Sequence, residues 1–337
     1  MPATKESRKY VDKELPYRLL AEIHKDSRRS MKELGRSLGI SHHTVSRTLE
    51  KLEEKYGLAY TLDFDPGKLG FSEGRIITIK FEERPGLDFL KQRFEKDIFV
   101  QDVYSAEGDF DLLLYVIGLT PTEFAAWQWK LRIDLKKYKP LLKISTADNF
   151  VIGFLPLRNQ LIEMSDKLSG VEKKILTELN ENSRIKLNEL IKRSKTTQMK
   201  VIYAMKKFKK EGIIKKYTAL VQNPTKRIFL AFTILFSPNE NHSKLRSVFL
   251  KELVKEDLHS ATSDYSVILD TVGAYDSIYI CTFDSGEGLS RIGPDMQKSV
   301  FSDEAPKIDR AVLTGVITGK WPFHLDDYGY FKKSGGE

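Results

Sequence analysis

The chain has little cysteine and no long apolar run, and both absences limit the classes of protein to which it can belong. The single cysteine, Cys281, cannot form an internal disulfide, which is typical of a cytoplasmic protein. The apolar segment at residues 228–236 is far shorter than the roughly 20 residues of a membrane helix. The first residues, MPATKESRKYVDKE, lack the apolar centre of a signal peptide. We therefore expect a cytoplasmic chain with no membrane partner.

Catalytic and metal-ligating patterns are missing as well. No nucleophile lies at a convincing spacing from a general base; His259, Ser260 and Asp264 are close in sequence, but closeness alone is a weak signal for a catalytic triad. His42 and His43 are adjacent, so on a helix they would point about 100° apart and would not share a metal ion. The sequence thus predicts no catalytic residue, no metal site and no cofactor.

What the sequence does contain is a long repeat. Residues 27–52 read SRRSMKELGRSLGISHHTVSRTLEKL, and residues 183–208 read SRIKLNELIKRSKTTQMKVIYAMKKF, 156 positions later. A second similar pair follows, GDFDLLLYV at 108–116 and GAYDSIYIC at 273–281. This period exceeds the roughly 20–50 residues of solenoid repeats, so it indicates a duplicated two-domain unit. The 337 residues are enough for four small domains.

Positive charge is concentrated in the second copy of the repeat. The net charge is +8, and residues 184–216 hold twelve Lys and Arg against two Glu. The rest of the chain therefore carries a small negative charge. A focused basic surface is typical of a protein that binds a polyanion, whereas a Lys-rich helix by itself is also typical of a solvated face.

Each repeat begins with three short helical segments. In the first copy, apolar residues fall at helical spacing from 15 to 52, Gly39 suits a left-handed C-cap, and Ser41 suits the N-cap of the third helix. Two helices joined by a short glycine turn predict a helix-turn-helix, whose second helix enters the DNA major groove. Lys195 replaces Gly39 in the second copy, so we expect a less sharply specified turn there. A β segment follows the third helix in both copies, which predicts winged helices.

The outward face of each third helix supplies the DNA-contact candidates. Arg47 can reach a guanine edge or a phosphate, and the adjacent histidines can donate to either. Met199, Ile202 and Tyr203 make the second face more apolar, which favours phosphate or protein contact over base reading. The candidates are Ser41, His42, His43, Thr44, Ser46, Arg47 and Lys51 in the first copy, and Gln198, Lys200, Tyr203, Lys206 and Lys207 in the second.

The remainder of each repeat alternates strand and helix patterns. From residue 74 to residue 154 the predicted order is βαββαβ, the ferredoxin-like arrangement, with Thr122 as the cap of its second helix. Residues 228–319 repeat that order. Such a sheet has helices on one face and leaves the other face for a partner. We therefore expect an α+β fold, a tandem duplication of a winged helix-turn-helix plus a ferredoxin-like βαββαβ domain.

These motifs resemble the Lrp/AsnC, or feast/famine, family of prokaryotic transcription regulators. The similarity is strongest at residues 39–71, GISHHTVSRTLEKLEEKYGLAYTLDFDPGKLGF, and includes the G-x-[FY]-D motif in both copies. In that family a winged helix precedes a ferredoxin-like domain that dimerises through its sheet and can bind amino acids or related metabolites. The resemblance implies the effector-binding candidates Gly108, Asp109 and Asp111 in the first copy and Gly273, Tyr275 and Asp276 in the second. The same residues are also typical of ordinary turns.

The resulting hypothesis divides the chain into a winged helix-turn-helix at 1–66, a ferredoxin-like effector and dimerisation domain at 67–156, a second winged helix-turn-helix at 157–224 and a second ferredoxin-like domain at 225–325. The chain would be a transcription regulator and an internal pseudo-dimer, with a sequence-reading first winged helix and a strongly basic second one that acts as a clamp. The expected partners are double-stranded DNA, an amino-acid or metabolite effector, and further copies of the chain through the ferredoxin-like sheets.

Two other functions are compatible with this order of elements. Decarboxylases that act on sirohaem resemble the same winged-helix and ferredoxin-like build, sometimes with two units fused. Their chemistry needs Arg and His clusters to hold tetrapyrrole carboxylates, and the predicted strands here carry few such residues. The other alternative is an adaptor, in which Met199, Ile202 and Tyr203 dock another protein and only the first winged helix reads DNA.

Overall fold

In a computed structural model, the described residues form two compact units, and each unit takes segments from both repeats. One unit comes from Met1–Gly70 and Ile162–Pro224, the other from Phe71–Leu161 and Thr225–Glu337. Within the described part of the chain, no helix has both the length and the apolar character needed to cross a membrane. The structure describes residues 15–16, 18–71, 74–152, 154–221, 228–235, 267–283 and 307–319.

The first unit begins with the helix-turn-helix of the first repeat. Its helical segments are α1 (residues 18–25), α2 (Met31–Leu38) and α3 (His42–Tyr56), followed by strand β1 (Leu58–Phe64). Gly39 has a left-handed φ of 70°, and the Ser41 side chain accepts a hydrogen bond from the Thr44 amide, so both predicted caps are confirmed. A 3₁₀ turn (Gly67–Leu69) follows β1.

The second repeat contributes α7 (Gly170–Glu181), α8 (Leu187–Ser194), α9 (Gln198–Lys210) and β6 (Ile214–Val221) to the same unit. Lys195 adopts a left-handed conformation with a φ of 50°, close to that of Gly39, so the expected loosening of this turn is wrong. The Lys195 amide donates to the Lys192 carbonyl, which keeps the turn closed, and the side chain extends into solvent.

Strands β1 and β6 join the two helix-turn-helix copies in an antiparallel pair, with Thr61 opposite Thr218. The hydroxyls of Ser27 and Ser183 lie 2.6 Å apart, and these two residues occupy the same position in the two repeats. Equivalent parts of the two copies are therefore in direct contact within the unit.

The two central threonines make matching bonds to equivalent helices. The Thr61 hydroxyl donates to the Asn180 carbonyl at 3.0 Å, and the Thr218 hydroxyl donates to the His24 carbonyl at 2.8 Å. Asn180 lies 156 positions after His24. The pairing of the two wings is thus close to two-fold symmetric, except that one repeat has His24 where the other has Asn180.

The second unit contains the strand and helix patterns of both repeats. The first repeat forms β2 (Arg75–Phe81), α4 (Leu87–Glu95), β3 (Val100–Gly108), β4 (Leu112–Val116), α5 (Pro121–Asp134), a 3₁₀ turn (Lys136–Tyr138) and β5 (Pro140–Ile152). The strands lie in the order β3-β4-β2-β5, all antiparallel. A short helix, α6 (Asn159–Met164), follows. The order of helices and strands agrees with the βαββαβ prediction.

One predicted cap in this segment is wrong. Thr120, and not Thr122, caps α5: its hydroxyl accepts from the Glu123 amide at 3.3 Å, and the Glu123 carboxylate accepts from the Thr120 amide at 2.9 Å. Pro121 takes the first helical position, where a missing N–H carries no cost.

The second repeat forms β7 (Ile228–Leu235), β8 (Val267–Gly273), β9 (Ser277–Phe283) and β10 (Lys307–Thr318), in the sheet order β8-β9-β7-β10. The helices expected between these strands, at 242–257 and 286–301, lie outside the described residues, as do His259, Ser260 and Asp264. Pairings of β5 with β8 and of β10 with β3 join the two four-stranded sheets into a closed barrel. Each sheet thus finds its partner for edge pairing within the chain.

Candidate nucleic-acid interface

The amino-terminal half of α3 presents donor side chains to solvent. Val45 and Leu49 are buried in the core of the winged helix, whereas His42, His43 and Arg47 are exposed to solvent. The two imidazole rings lie 4.0 Å apart, centroid to centroid. This half of the helix therefore presents three nitrogen-bearing side chains to solvent.

The other candidates of the first copy have different surroundings. The hydroxyls of Ser41 and Thr44 lie 2.9 Å apart within the helix cap, and both residues are exposed. Ser46 is half-buried and donates to the Glu50 carboxylate at 3.2 Å. Lys51 is exposed among acidic neighbours in the second half of α3. Exposed hydrogen-bond donors are thus concentrated in the first half of this helix.

Helix α9 has a different surface in the same positions. Gln198, Lys200, Tyr203 and Lys206 are exposed, whereas Lys207 is half-buried. Lys207 donates to the Glu172 carboxylate on α7 at 2.8 Å, and this bond raises the pKa of Lys207. Lys207 therefore also holds two helices together, and the other lysines are more accessible to a ligand.

Charge at equivalent positions is reversed between the two third helices. The acidic second half of α3 corresponds to a basic second half of α9, with all six side chains exposed. The alignment of the two repeats contains this reversal, since each pair of residues is 156 positions apart. The reversed pairs are Glu50 and Lys206, Glu53 and Lys209, and Glu54 and Lys210.

A half-buried polar cluster lies at the paired wings. Lys216 donates to the His24 Nε2 atom at 3.2 Å and lies opposite Asp63 in the strand pairing. Burial, together with the positive charge of Lys216, lowers the pKa of His24 to about 4. Burial also raises the pKa of Asp63 to about 6, against the opposing effect of two lysines. The sequence offered no sign of this cluster, because its members are brought together only by strand pairing.

The effector candidates of the first repeat lie where β3 meets β10 of the other repeat. Gly108 has a φ of 143°, and a Cβ atom there would lie 2.3 Å from the Arg310 carbonyl oxygen. Asp109 accepts from the Arg310 amide at 2.7 Å. Asp111 is buried and accepts from the Phe81 amide at 2.8 Å and from Lys80 at 3.0 Å. All three residues contribute to joining strands.

The candidates of the second repeat lie at the equivalent junction of β8 with β5. A Cβ atom on Gly273, whose φ is 141°, would lie 2.6 Å from the Ile144 carbonyl oxygen. The Asp276 amide donates to a carbonyl of β7. Tyr275 is buried, and its hydroxyl contacts Thr78 at 3.0 Å and Asp309 at 2.8 Å. Burial raises the pKa of Tyr275.

A small apolar cavity lies inside the barrel, and none of the six effector candidates lines it. Its volume of about 10 Å³ leaves room for about one water molecule. Among the described residues, no three His, Cys, Asp or Glu side chains are grouped so as to hold a metal ion. The lining residues are Ile76, Tyr104, Leu113, Leu114, Tyr115, Leu155, Val267, Leu269, Ile278 and Ile280.

Comparisons with known proteins agree with the two helix-turn-helix copies. Residues 14–53 match the AsnC-type helix-turn-helix domain, and residues 168–215 match a winged helix-turn-helix DNA-binding family. The chain is 31% identical over 101 residues to the HTH-type transcriptional regulator LrpA of Pyrococcus horikoshii, covering 29% of this chain and 70% of that protein. The LrpA of Pyrococcus abyssi has the same identity and coverage.

A solved structure is similar over nearly the whole chain. The siroheme decarboxylase NirDL superposes with a TM-score of 0.53 and 15% sequence identity, covering 90% of this chain and 92% of that one. At this identity the likeness concerns the α+β fold alone. The family matches and the LrpA relatives identify the function class: the chain belongs to the Lrp/AsnC family of DNA-binding transcription regulators and carries two winged helix-turn-helix units.

Proposed function

We propose that this regulator is an internal pseudo-dimer that binds an asymmetric DNA site, with α3 reading bases and α9 holding the phosphate backbone. The observation that carries the proposal is the charge reversal between the exposed faces of these equivalent helices. An operator with two-fold symmetry suits a protein with two identical reading helices, whereas two different helices suit two different half-sites. We also propose that the protein is not an enzyme.

The pseudo-dimer is supported by the strand register of the barrel. Ser145 lies opposite Gly273, and Ala311 lies opposite Gly108, so β5 and β10 are equivalent strands. Two residues before each junction stand Lys143 and Asp309, which form an ion pair with each other. Burial opposes both charges, yet the pairing raises the pKa of Lys143 and lowers that of Asp309.

The ion pair suggests that the halves are matched to each other and not to copies of themselves. In a symmetric dimer of the first half, two copies of Lys143 would meet at this junction, and in a dimer of the second half two copies of Asp309 would meet there. Either pair of like charges would repel. Lys143→Asp is therefore expected to lower the stability by roughly 3 kcal/mol, because the new carboxylate would lie beside the buried carboxylate of Asp309. The double variant with Asp309→Lys should recover most of that loss in urea unfolding. A double variant as unstable as Lys143→Asp would argue against the matched pair.

Four domains follow from this proposal, at 1–66, 67–156, 157–224 and 225–325. The division is supported by the change from one compact unit to the other near each of these boundaries. Association of several chains is a further part of the proposal. The sheet edges in the described part of the chain are already paired within the chain, so this association would have to use other surfaces.

The test of DNA reading is a selection of bound duplexes from a random pool with the intact chain. Arg47→Ala should relax the preference at one or two positions, since each bidentate base contact contributes about 1–3 kcal/mol of discrimination. Lys206→Ala with Lys210→Ala should weaken binding to all duplexes alike and reduce the slope of log affinity against log salt by about 2.

Lys207→Ala serves as a control, because it also removes a contact with Glu172 and should lower stability as well as affinity. If Arg47→Ala and the double lysine variant both bound the selected DNA as the parent does at moderate salt, the assignment of the two helices would be wrong.

An amino-acid or metabolite effector at the two G-x-[FY]-D motifs is a further part of the proposal. Both motifs lie at junctions between the two sheets, so a ligand bound there would act on both repeats at once. The expected result is a change in DNA affinity on addition of one amino acid, reduced by Asp109→Ala. If none of the twenty amino acids changed the affinity of the protein for DNA, this part of the proposal would be wrong.

A tetrapyrrole enzyme is the second candidate, motivated by the fold likeness to the siroheme decarboxylase over most of the chain. The discriminating measurement is absorbance of the purified protein with added iron uroporphyrin. We expect no shift of the tetrapyrrole band, and a saturable shift followed by release of carbon dioxide would favour the enzyme.

A further inference from the structure

Two large apolar side chains extend from α9 into solvent. Met199 is 79% exposed and Tyr203 is 70% exposed, although Val201, Ala204 and Phe208 of the same helix are buried. The two exposed residues are four positions apart, so their side chains are neighbours on one face. An adjacent pair of this size contributes little to the core of the winged helix, which points to a contact with a ligand.

The pair occupies the reading positions of the helix. Met199 and Tyr203 are 156 positions after His43 and Arg47, and the caps of the two helices, Thr197 and Ser41, are equivalent as well. In a helix-turn-helix, residues near the start of the second helix meet base edges in the major groove. Apolar groups therefore stand where the first copy has polar base-contact candidates.

The charge around the pair favours DNA over a protein partner. Gln198–Lys210 contains five lysines and no acidic residue, and Lys200 and Lys206, which flank the pair, are exposed. Duplex DNA combines phosphates at the groove edges with one apolar group inside the major groove, the 5-methyl group of thymine. The arrangement of α9, apolar at its reading positions and basic beside them, is complementary to that pattern.

We propose that Met199 and Tyr203 contact thymine 5-methyl groups, so that the second winged helix selects A·T base pairs while its lysines hold the backbone. The flexible thioether of methionine adapts to an irregular apolar surface, and the tyrosine ring offers a flat one. The inference rests on the proposed contact of α9 with DNA and adds a sequence preference to it.

The test replaces each thymine of the selected duplex, one at a time, with deoxyuridine, which removes only the methyl group. The parent protein should lose about three- to fivefold in affinity at one or two positions within one half of the site. Met199→Ala with Tyr203→Ala should bind the thymine duplex as weakly as the parent binds the uracil duplex and should no longer distinguish the two.

Matched variants separate this effect from a general loss of binding. Met199→Leu and Tyr203→Phe keep the apolar contacts and should keep the thymine preference. Arg47→Ala should retain the thymine preference while losing selectivity in the other half of the site.

Three results would overturn the inference. The first is a parent protein that binds every uracil duplex as tightly as the thymine duplex. The second is a double alanine variant, Met199→Ala with Tyr203→Ala, that keeps the thymine preference. The third is a double variant that binds DNA normally but no longer alters transcription in a purified system, which would identify a protein partner. If only the inference fails, the Arg47 and Lys206 variants still change DNA binding; if the proposed function fails, they do not.

Discussion

Replacing His24 with asparagine is expected to change how the stability of the protein responds to acid. The imidazole of His24 lies against β6, where Lys216 donates to Nε2 at 3.2 Å and Nδ1 lies 3.3 Å from the Ala219 carbonyl oxygen. A lysine donor on Nε2 requires the neutral ring, with its proton on Nδ1. Protonation would bring two positive charges together in a half-buried position.

The sign and size of the effect follow from the pKa of His24. The unfolded chain takes up this proton near pH 6.5, whereas burial and Lys216 delay its uptake in the folded protein until about pH 4. Between these values the unfolded state binds more protons, so stability falls as the pH decreases from 6.5 to 4. Each pKa unit corresponds to about 1.4 kcal/mol, so the total loss is about 3 kcal/mol.

The second repeat suggests the replacement. Asn180 occupies the equivalent position, and the Thr61 hydroxyl donates to both its backbone and its side-chain oxygen at 3.0 Å. His24→Asn should therefore keep a bond to Thr218 while removing the titrating group. The free energy of unfolding of the variant relative to the parent should rise by about 3 kcal/mol from pH 7.5 to pH 4.

The assay is urea unfolding, followed by circular dichroism, of both proteins at several pH values. Taking the difference between the two proteins cancels every other group that titrates in both. A difference for His24→Asn that stayed constant within about 0.5 kcal/mol from pH 7.5 to pH 4 would refute the reasoning.

Three further predictions concern stability. Burial raises the pKa of Asp63 to about 6 from its ordinary 3.8, so stability is lost as the pH rises through that interval. Asp63→Asn should remove this loss. In urea unfolding, the free energy of unfolding of the variant relative to the parent should therefore increase from pH 4 to pH 7. Lys195→Gly should raise the free energy of unfolding by about 1 kcal/mol, and Gly39→Lys should lower it by a similar amount, because both positions have left-handed backbone. Variants as stable as the parent protein would contradict this. Gly273→Ala should cost more than about 2 kcal/mol, measured by thermal unfolding, because its Cβ would meet a strand carbonyl at 2.6 Å; an unchanged midpoint would contradict the close approach.

Local features of this chain were predictable from sequence because their causes lie within a few residues. Gly39 and Ser41 end one helix and begin the next through contacts no more than four residues away. Where two local solutions competed, the prediction failed: Thr120 and Thr122 both precede a helix-forming segment, and only the fit of Pro121 and Glu123 to the first of them decided the cap. For Lys195, propensity argued against a sharp turn, and the surrounding helix contacts imposed it.

Features of the candidate site that depend on distant residues were not predictable. In the sequence Lys207 is one basic residue among many, and its bond to Glu172, 35 positions away, forms only in the folded chain. The ion pair between Lys143 and Asp309 joins residues 166 positions apart and required the register of the strands in the barrel. His24 carried no signal of its low pKa, since strand pairing alone brings Lys216 to it.

The amino-acid sequence by itself determined that the chain is duplicated, that each copy begins with a helix-turn-helix, and that the second copy holds most of the positive charge. These properties depend on periodicity, caps and composition, which act over short distances along the chain. Only the tertiary structure decided which surfaces face each other. The wings of the two copies pair with each other, and their sheets close into one barrel, because unpaired strand edges find their hydrogen-bond partners in the other half of the same chain.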